Sequence, residues 1–204
     1  MEHQIDFYKT ISNPSEGLIY KEKGSKFLGF AFPISDEEDV KLHLTTLKKQ
    51  HHSARHWCYA WQISVENPQY RVNDDGEPHN SAGQPIYGQI QSFNLTNILV
   101  VVVRYFGGTK LGVGGLISAY KTAAQYAIEA SEIVDKLIEI NFKIIIDYQN
   151  LNKIMRFIKE HQLNIIGQNM DIDCELILSI RKSEFEKYNL LFSELHFLKS
   201  VEQI

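Results

Sequence analysis

Three groups of residues in this chain have types and spacing that could do chemistry. The richest is Gly107-Gly108-Thr109-Lys110-Leu111-Gly112-Val113-Gly114-Gly115, which sets five glycines between Arg104 and a run of small and apolar residues. Glycines leave backbone N–H groups open to an anion, and a helix beginning there adds positive partial charge. Lys110 contributes a full charge, and Arg104 a second if it turns the same way. The chemistry is that of a phosphate contact, although the segment matches neither the Walker nor the dinucleotide glycine pattern. Close packing of a helix against a sheet would also call for glycines, and both readings stay open.

The second group is the turn Asp74-Asp75-Gly76-Glu77-Pro78, followed by Ser81-Ala82-Gly83-Gln84-Pro85. Its carboxylates could hold Mg²⁺, pair with Arg104 and Lys110, or simply face solvent. Ser81 is expected to cap a short helix through Ile86 and Ile90 and has no evident base beside it. The third group is His51, His52, His56 and Cys58. Imidazole and thiolate are zinc ligands, but alternation along a strand separates the pair His51 and His52, so no metal is expected. His56 is an accessory candidate for the anion site, together with Asp75, Glu77 and Ser81.

These groups need positioning elements. Gly17–Tyr20 and Phe27–Ile34 read as strands joined across Gly24, and Asp36 with its acidic neighbours opens a helix ending near Lys49. Arg55–Val65 alternates Trp57, Tyr59, Trp61 and Ile63 on one face with His56, Cys58 and Ala60 on the other. Asn67–Pro85 lacks periodicity and reads as a long loop. Ile98–Val103 is a continuous β-branched run, the mark of a central strand, and a helix is expected from Leu116 through Ala127. Beyond Asp135, Ile138–Ile146 alternates as a strand. Tyr148, Leu151, Met155 and Ile158 form a helical stripe, Leu163–Gly167 and Ile172–Ile180 two strands, and Ser183 with Glu186 a capping box before a last strand, Leu195–Val201. That order is β-α-β-β-α-β, the ferredoxin-like order. The fold class is α+β in two domains, 1–134 and 135–204.

Composition narrows the functions. The chain has 204 residues, 44% hydrophobic and 23% charged, and a formal net charge of -4, so nothing global attracts it to nucleic acid. Lys143, Lys153, Arg156, Lys159, Arg181 and Lys182 stand among acids and form no dense basic run. Two cysteines in different halves, Cys58 and Cys174, argue against a disulfide framework. Met1 to Lys9 has no uninterrupted apolar core and no later segment has a membrane span's length, so a cytoplasmic location is expected.

The segments Ala54-Arg55-His56-Trp57-Cys58-Tyr59-Ala60, Asp74–Pro78, Ser81–Pro85 and Arg104–Gly112 together closely resemble the IMPACT family with its YigZ-like bacterial members. The match covers residues 15–130 through its motifs. It departs at Asn80-Ser81, where the family has Gly-Thr. The resemblance implies a ribosomal protein S5 domain 2-like fold for the first domain and an EF-G C-terminal-domain-like fold for the second. Both relatives touch RNA or the ribosome. The resemblance also implies a role in translation or its regulation, whereas the protein-binding domain of eukaryotic members is not matched here.

Three functions follow as expectations. The first is an RNA- or ribosome-associated binding protein using Arg104, Lys110 and the amides of Gly107, Gly108, Gly112, Gly114 and Gly115. The second is an enzyme on a phosphorylated small molecule, with Asp75 or Glu77 as base; no nucleophile–base pair can be named, and a non-catalytic role without cofactor is favoured. The third is a regulator that binds a protein partner through Tyr105, Phe106 and Trp57 or Trp61.

Overall fold

A computed structural model describes residues 6–204. Of the segment Met1 to Lys9, the first five residues lie outside the described residues. The described residues form five α-helices and three sheets and divide into two compact units, Tyr8–Lys136 and a second built on Leu137–Ile204 with Asp6 and Phe7. Among the described residues no helix is long and apolar enough to cross a membrane.

In the first unit, β1 (Phe7–Ile11) pairs with β8 (Ile133–Leu137) as a two-stranded ribbon. The main sheet contains β2 (Ser15–Glu16), β3 (Tyr20–Glu22), β4 (Ser25–Pro33), β5 (His56–Ile63), β6 (Gln69–Asn73) and β7 (Ile98–Tyr105). Its order is β2-β4-β7-β5-β6, with β3 also on β4. The β-branched run therefore lies at the centre, as its composition predicts. Alternation along β5 divides the sheet's two faces as expected: Cys58 and Ala60 enter one core, Trp61 the other. On the second face lies α1 (Glu37–Gln50), opened by the Asp36 carboxylate, which accepts from the N–H groups of Glu38 and Asp39. The first face carries α2 (Gly83–Ser92) and α3 (Val113–Glu129), whose Ala119, Tyr120, Ala123 and Ala127 are fully buried.

Several expectations are corrected here. Gly17 to Ile19 are not a strand; a Cβ on Gly17 would lie 2.5 Å from the Ala127 nitrogen, so the chain there runs against α3. Asn67–Pro85 is not all loop, since it contains β6, an edge strand whose exposed residues carry no hydrophobic signal. Helix α3 starts three residues before Leu116 and takes Gly114 and Gly115 into its first turn.

The second unit holds β9 (Glu139–Ile146), α4 (Leu151–Glu160), β10 (Asn164–Met170), β11 (Cys174–Arg181), α5 (Phe185–Glu194) and β12 (Leu198–Gln203). The sheet order is β10-β11-β9-β12, every pair antiparallel. Alternation in β9 buries Phe142, Ile144 and Ile146 against Ile154, Ile158, Tyr188 and Phe192. On α4 the buried stripe runs through Ile154 rather than Met155. The Ser183–Glu186 capping box does not form. The Ser183 N–H and hydroxyl instead donate to the Asp6 carboxylate, a partner 177 residues away that no local pattern discloses. Both cysteines are free and buried.

Candidate functional site

Strand β7 delivers Arg104 to the end of the sheet beside His56 of β5, its register partner. Arg104 is only 4% exposed, and its Nη1 lies 2.5 Å from Glu77 Oε1. The guanidinium lies between the rings of Phe27 and Phe106, at 5.3 and 5.5 Å, and Nη2 donates to Ser25 Oγ at 3.3 Å. Tyr120 on α3 also donates to Glu77 Oε1, at 2.8 Å, and the Cys58 thiol stands 3.3 Å behind the Tyr120 hydroxyl and 3.0 Å from the Asp74 carbonyl. Burial pushes the Cys58 thiol and the Tyr120 phenol well above their ordinary pKa values, so both remain protonated donors.

The acidic turn is built by its own carboxylates. Asp74 Oδ1 accepts from the N–H groups of Ala82 and Gly83, and Oδ2 from that of Asn80, so Asp74 performs the capping of α2 expected of Ser81. Ser81 is fully buried and donates to the Pro78 carbonyl at 2.6 Å. The Asp75 carboxylate accepts from Trp57 N–H at 2.7 Å, and its carbonyl meets His56 Nδ1 at 2.8 Å. A carbonyl only accepts, so Nδ1 carries the hydrogen and Nε2 faces Glu77 Oε1, 3.8 Å away. Of the three carboxylates in the turn, Glu77 alone is thereby turned toward Arg104. Among the described residues no group of three His, Cys, Asp or Glu is placed to hold a metal ion. His51 faces the Tyr105 hydroxyl at 2.9 Å, away from this network.

His56, Glu77, Pro78, Arg104, Phe106, Lys110, Leu111, Gly112, Val113 and Leu116 line a cavity of about 360 Å³, within the range of small-ligand pockets. The glycines divide into two kinds. Gly107 serves packing: its N–H donates to Ser25 Oγ, and a Cβ there would lie 1.9 Å from the Gly24 carbonyl carbon. Gly115 packs closely on Leu111. Gly108 and Gly112 adopt φ of +85° and +77°, and around these two and Gly114 a Cβ would meet nothing within 4 Å. Gly112 caps α3 with no side chain, leaving the N–H groups of Val113, Gly114 and Gly115 without acceptors in the described chain. Lys110 is exposed beside them and has no ion pair among the described residues. Of the expected anion set Arg104 alone is buried; Lys110, Gly107, Gly108, Gly112 and Gly114 are exposed and Gly115 is half-buried. Arg104 is committed to Glu77. Tyr105 is half-buried and Trp61 buried, leaving Phe106, 45% exposed, as the aromatic at the mouth.

Ser25 and Tyr120 were not legible as site residues. Ser25 reaches Arg104 across 79 positions, and Tyr120 reads as part of a core stripe; the one available signal is that a buried tyrosine hydroxyl needs a partner.

The family model for the Impact N-terminal domain matches residues 23–128, which hold every cavity residue. The chain belongs to the IMPACT family. An IMPACT family member of Haemophilus influenzae is 31% identical over 185 residues, covering 89% of this chain and 90% of its own. The family member YvyE of Bacillus subtilis is 30% identical over 92% of this chain and 86% of its own. A crystal structure of a hypothetical protein superimposes with a TM-score of 0.75 over 98% of both chains at 23% identity, a likeness of fold alone. In this IMPACT family chain three of the four segments that carry the resemblance, those of His56, of Glu77 and Pro78, and of Arg104–Gly112, meet at one cavity.

Proposed function

We propose that this IMPACT family chain is a binding protein in translation or its regulation that holds RNA phosphates on the rim of the Arg104–Leu116 cavity. One observation carries the reading: the uncapped first turn of α3 opens beside the exposed Lys110, among glycines whose absent side chains leave free approach. Helix dipole, converging amides and one lysine together favour a phosphate group. The resemblance adds the context, since the domain relatives it implies work on RNA or the ribosome. The antiparallel order β10-β11-β9-β12 supports a ferredoxin-like reading of a C-terminal domain from 135 on, and the helix-covered main sheet an S5 domain 2-like reading of the domain before it. A net charge of -4 makes the affinity modest and dependent on salt.

The test is fluorescence anisotropy of a short labelled RNA at two salt concentrations, with ribosome co-sedimentation alongside. Lys110→Glu is the diagnostic variant because Lys110 is exposed and its reversal leaves the core alone. Binding that weakens with salt and falls further in Lys110→Glu supports the rim. Binding indifferent to Lys110→Glu rules it out.

A further inference from the structure

We infer that the cavity behind this rim takes the base of a guanine nucleotide while the α3 amides and Lys110 hold its phosphate, an inference that rests on the rim being the phosphate contact. The charges on the floor decide the orientation. Arg104 and Glu77 neutralise one another at 2.5 Å, so the floor offers no net positive charge to a phosphate. The contacts of the Glu77 carboxylate, with Arg104 Nη1, Tyr120 OH and His56 Nε2, all end on Oε1. Oε2, on a side chain 5% exposed and lining the cavity, is left as an acceptor without a donor among the described residues. A phosphate pushed to this depth would meet a carboxylate oxygen; an N–H group would be held by it.

His56 lines the same floor: Nδ1 uses its hydrogen on the Asp75 carbonyl, and Nε2 stands 3.8 Å from Glu77 Oε1. Arg104, whose side chain also lines the cavity, has a buried Nε without an acceptor among the described residues. The walls are apolar: Pro78, Phe106, Leu111, Val113 and Leu116. The occupant is therefore a flat group with apolar faces and an edge that turns N–H donors toward Glu77 Oε2. Guanine presents such an edge, as N1–H and the 2-amino group. Uracil would turn two carbonyl oxygens toward the carboxylate. A site whose buried polar groups require partners discriminates strongly against a ligand that lacks them.

The source can be a free nucleotide or a nucleotide splayed from an RNA strand, and the experiment separates them. Calorimetric titration of the full chain uses GMP, UMP, ribose 5-phosphate and inorganic phosphate, then a uridine tract with and without one guanosine. GMP is expected to bind on the order of tenfold more tightly than UMP or ribose 5-phosphate, the worth of one hydrogen bond to a charged group. Preference for the guanosine-containing strand, in the absence of GMP binding, assigns a strand nucleotide; GMP binding without it assigns the free one. Glu77→Gln should abolish the preference. Should that variant unfold, Val113→Asp serves instead: a carboxylate in the first turn favours the helix, yet should weaken GMP about tenfold by repelling its phosphate. Equal affinity for GMP, UMP and ribose 5-phosphate would overturn the base assignment and leave the rim standing. Lys110-dependent RNA binding without any preference for guanosine would do the same. RNA binding unaffected by Lys110→Glu would remove the rim itself.

Discussion

Removing the Glu77 carboxylate should cost the first unit far more than a surface ion pair would. In Glu77→Ala the Arg104 guanidinium stays 4% exposed, keeping only Ser25 Oγ at 3.3 Å and two aromatic rings, while the Tyr120 hydroxyl loses its acceptor. Leaving one member of a buried pair uncompensated costs about 3–5 kcal/mol. In a chain of this length that corresponds to a melting shift of roughly 10 °C. Both tryptophans, Trp57 and Trp61, lie on β5, so urea unfolding followed by tryptophan fluorescence reports on this unit alone. Arg104→Met should restore part of the loss in the double variant, because the stranded charge is gone, with a coupling of about 2 kcal/mol. A Glu77→Ala cost below about 1 kcal/mol would refute the reasoning, since a pair that cheap to break behaves as a solvated one.

Three other outcomes follow from the same structure. Asp74→Ala removes the acceptor of three N–H groups at the start of α2 and should destabilise the unit by about 1–2 kcal/mol in the same urea assay, whereas an effect within 0.5 kcal/mol, about the noise of a surface change, would deny the cap. Gly107→Ala drives a Cβ into the Gly24 backbone and should yield little folded protein, whereas Gly114→Ala meets open space in a helix and should be neutral or stabilising by up to about 1 kcal/mol; the reverse order of melting temperatures would sink the division of the glycines. The raised pKa of the Cys58 thiol implies a pH dependence. Above its ordinary value of 9.0 the unfolded chain releases that proton while the folded chain keeps it, so stability falls with rising pH, by about 1.4 kcal/mol per unit. Tyr120 adds a second such loss above 10.0. Cys58→Ala should remove the slope between pH 9 and 10, measured as the urea midpoint; an unchanged slope would place the titrating group elsewhere.

How much could be read in advance follows the range of the forces involved. The alternation along His56–Ile63, the buried run at Ile98, the acidic opening of α1 and the alternation of Glu139–Ile146 are near-neighbour patterns, and each was legible. The edge strand Gln69–Asn73 was not, because one exposed face and a polar composition leave no period to detect. Nor were the ribbon strands Phe7–Ile11 and Ile133–Leu137, whose partners lie over a hundred residues away.

The same limit governs the site. By itself the sequence determined that an acidic turn and a glycine segment exist, which family they mark, and that a helix follows the glycines, since these depend on residue types at short spacing. Only the tertiary structure decided what each group does. Pairing of β5 with β7 set His56 beside Arg104, and the turn Asp74–Pro78 folded Glu77 onto Arg104. That turned a candidate phosphate ligand into half of a buried ion pair. Asp74 took the cap expected of Ser81, seven residues further along. Charge neutralisation and burial depend on which groups meet across the sheet, and that distance is not written in local sequence.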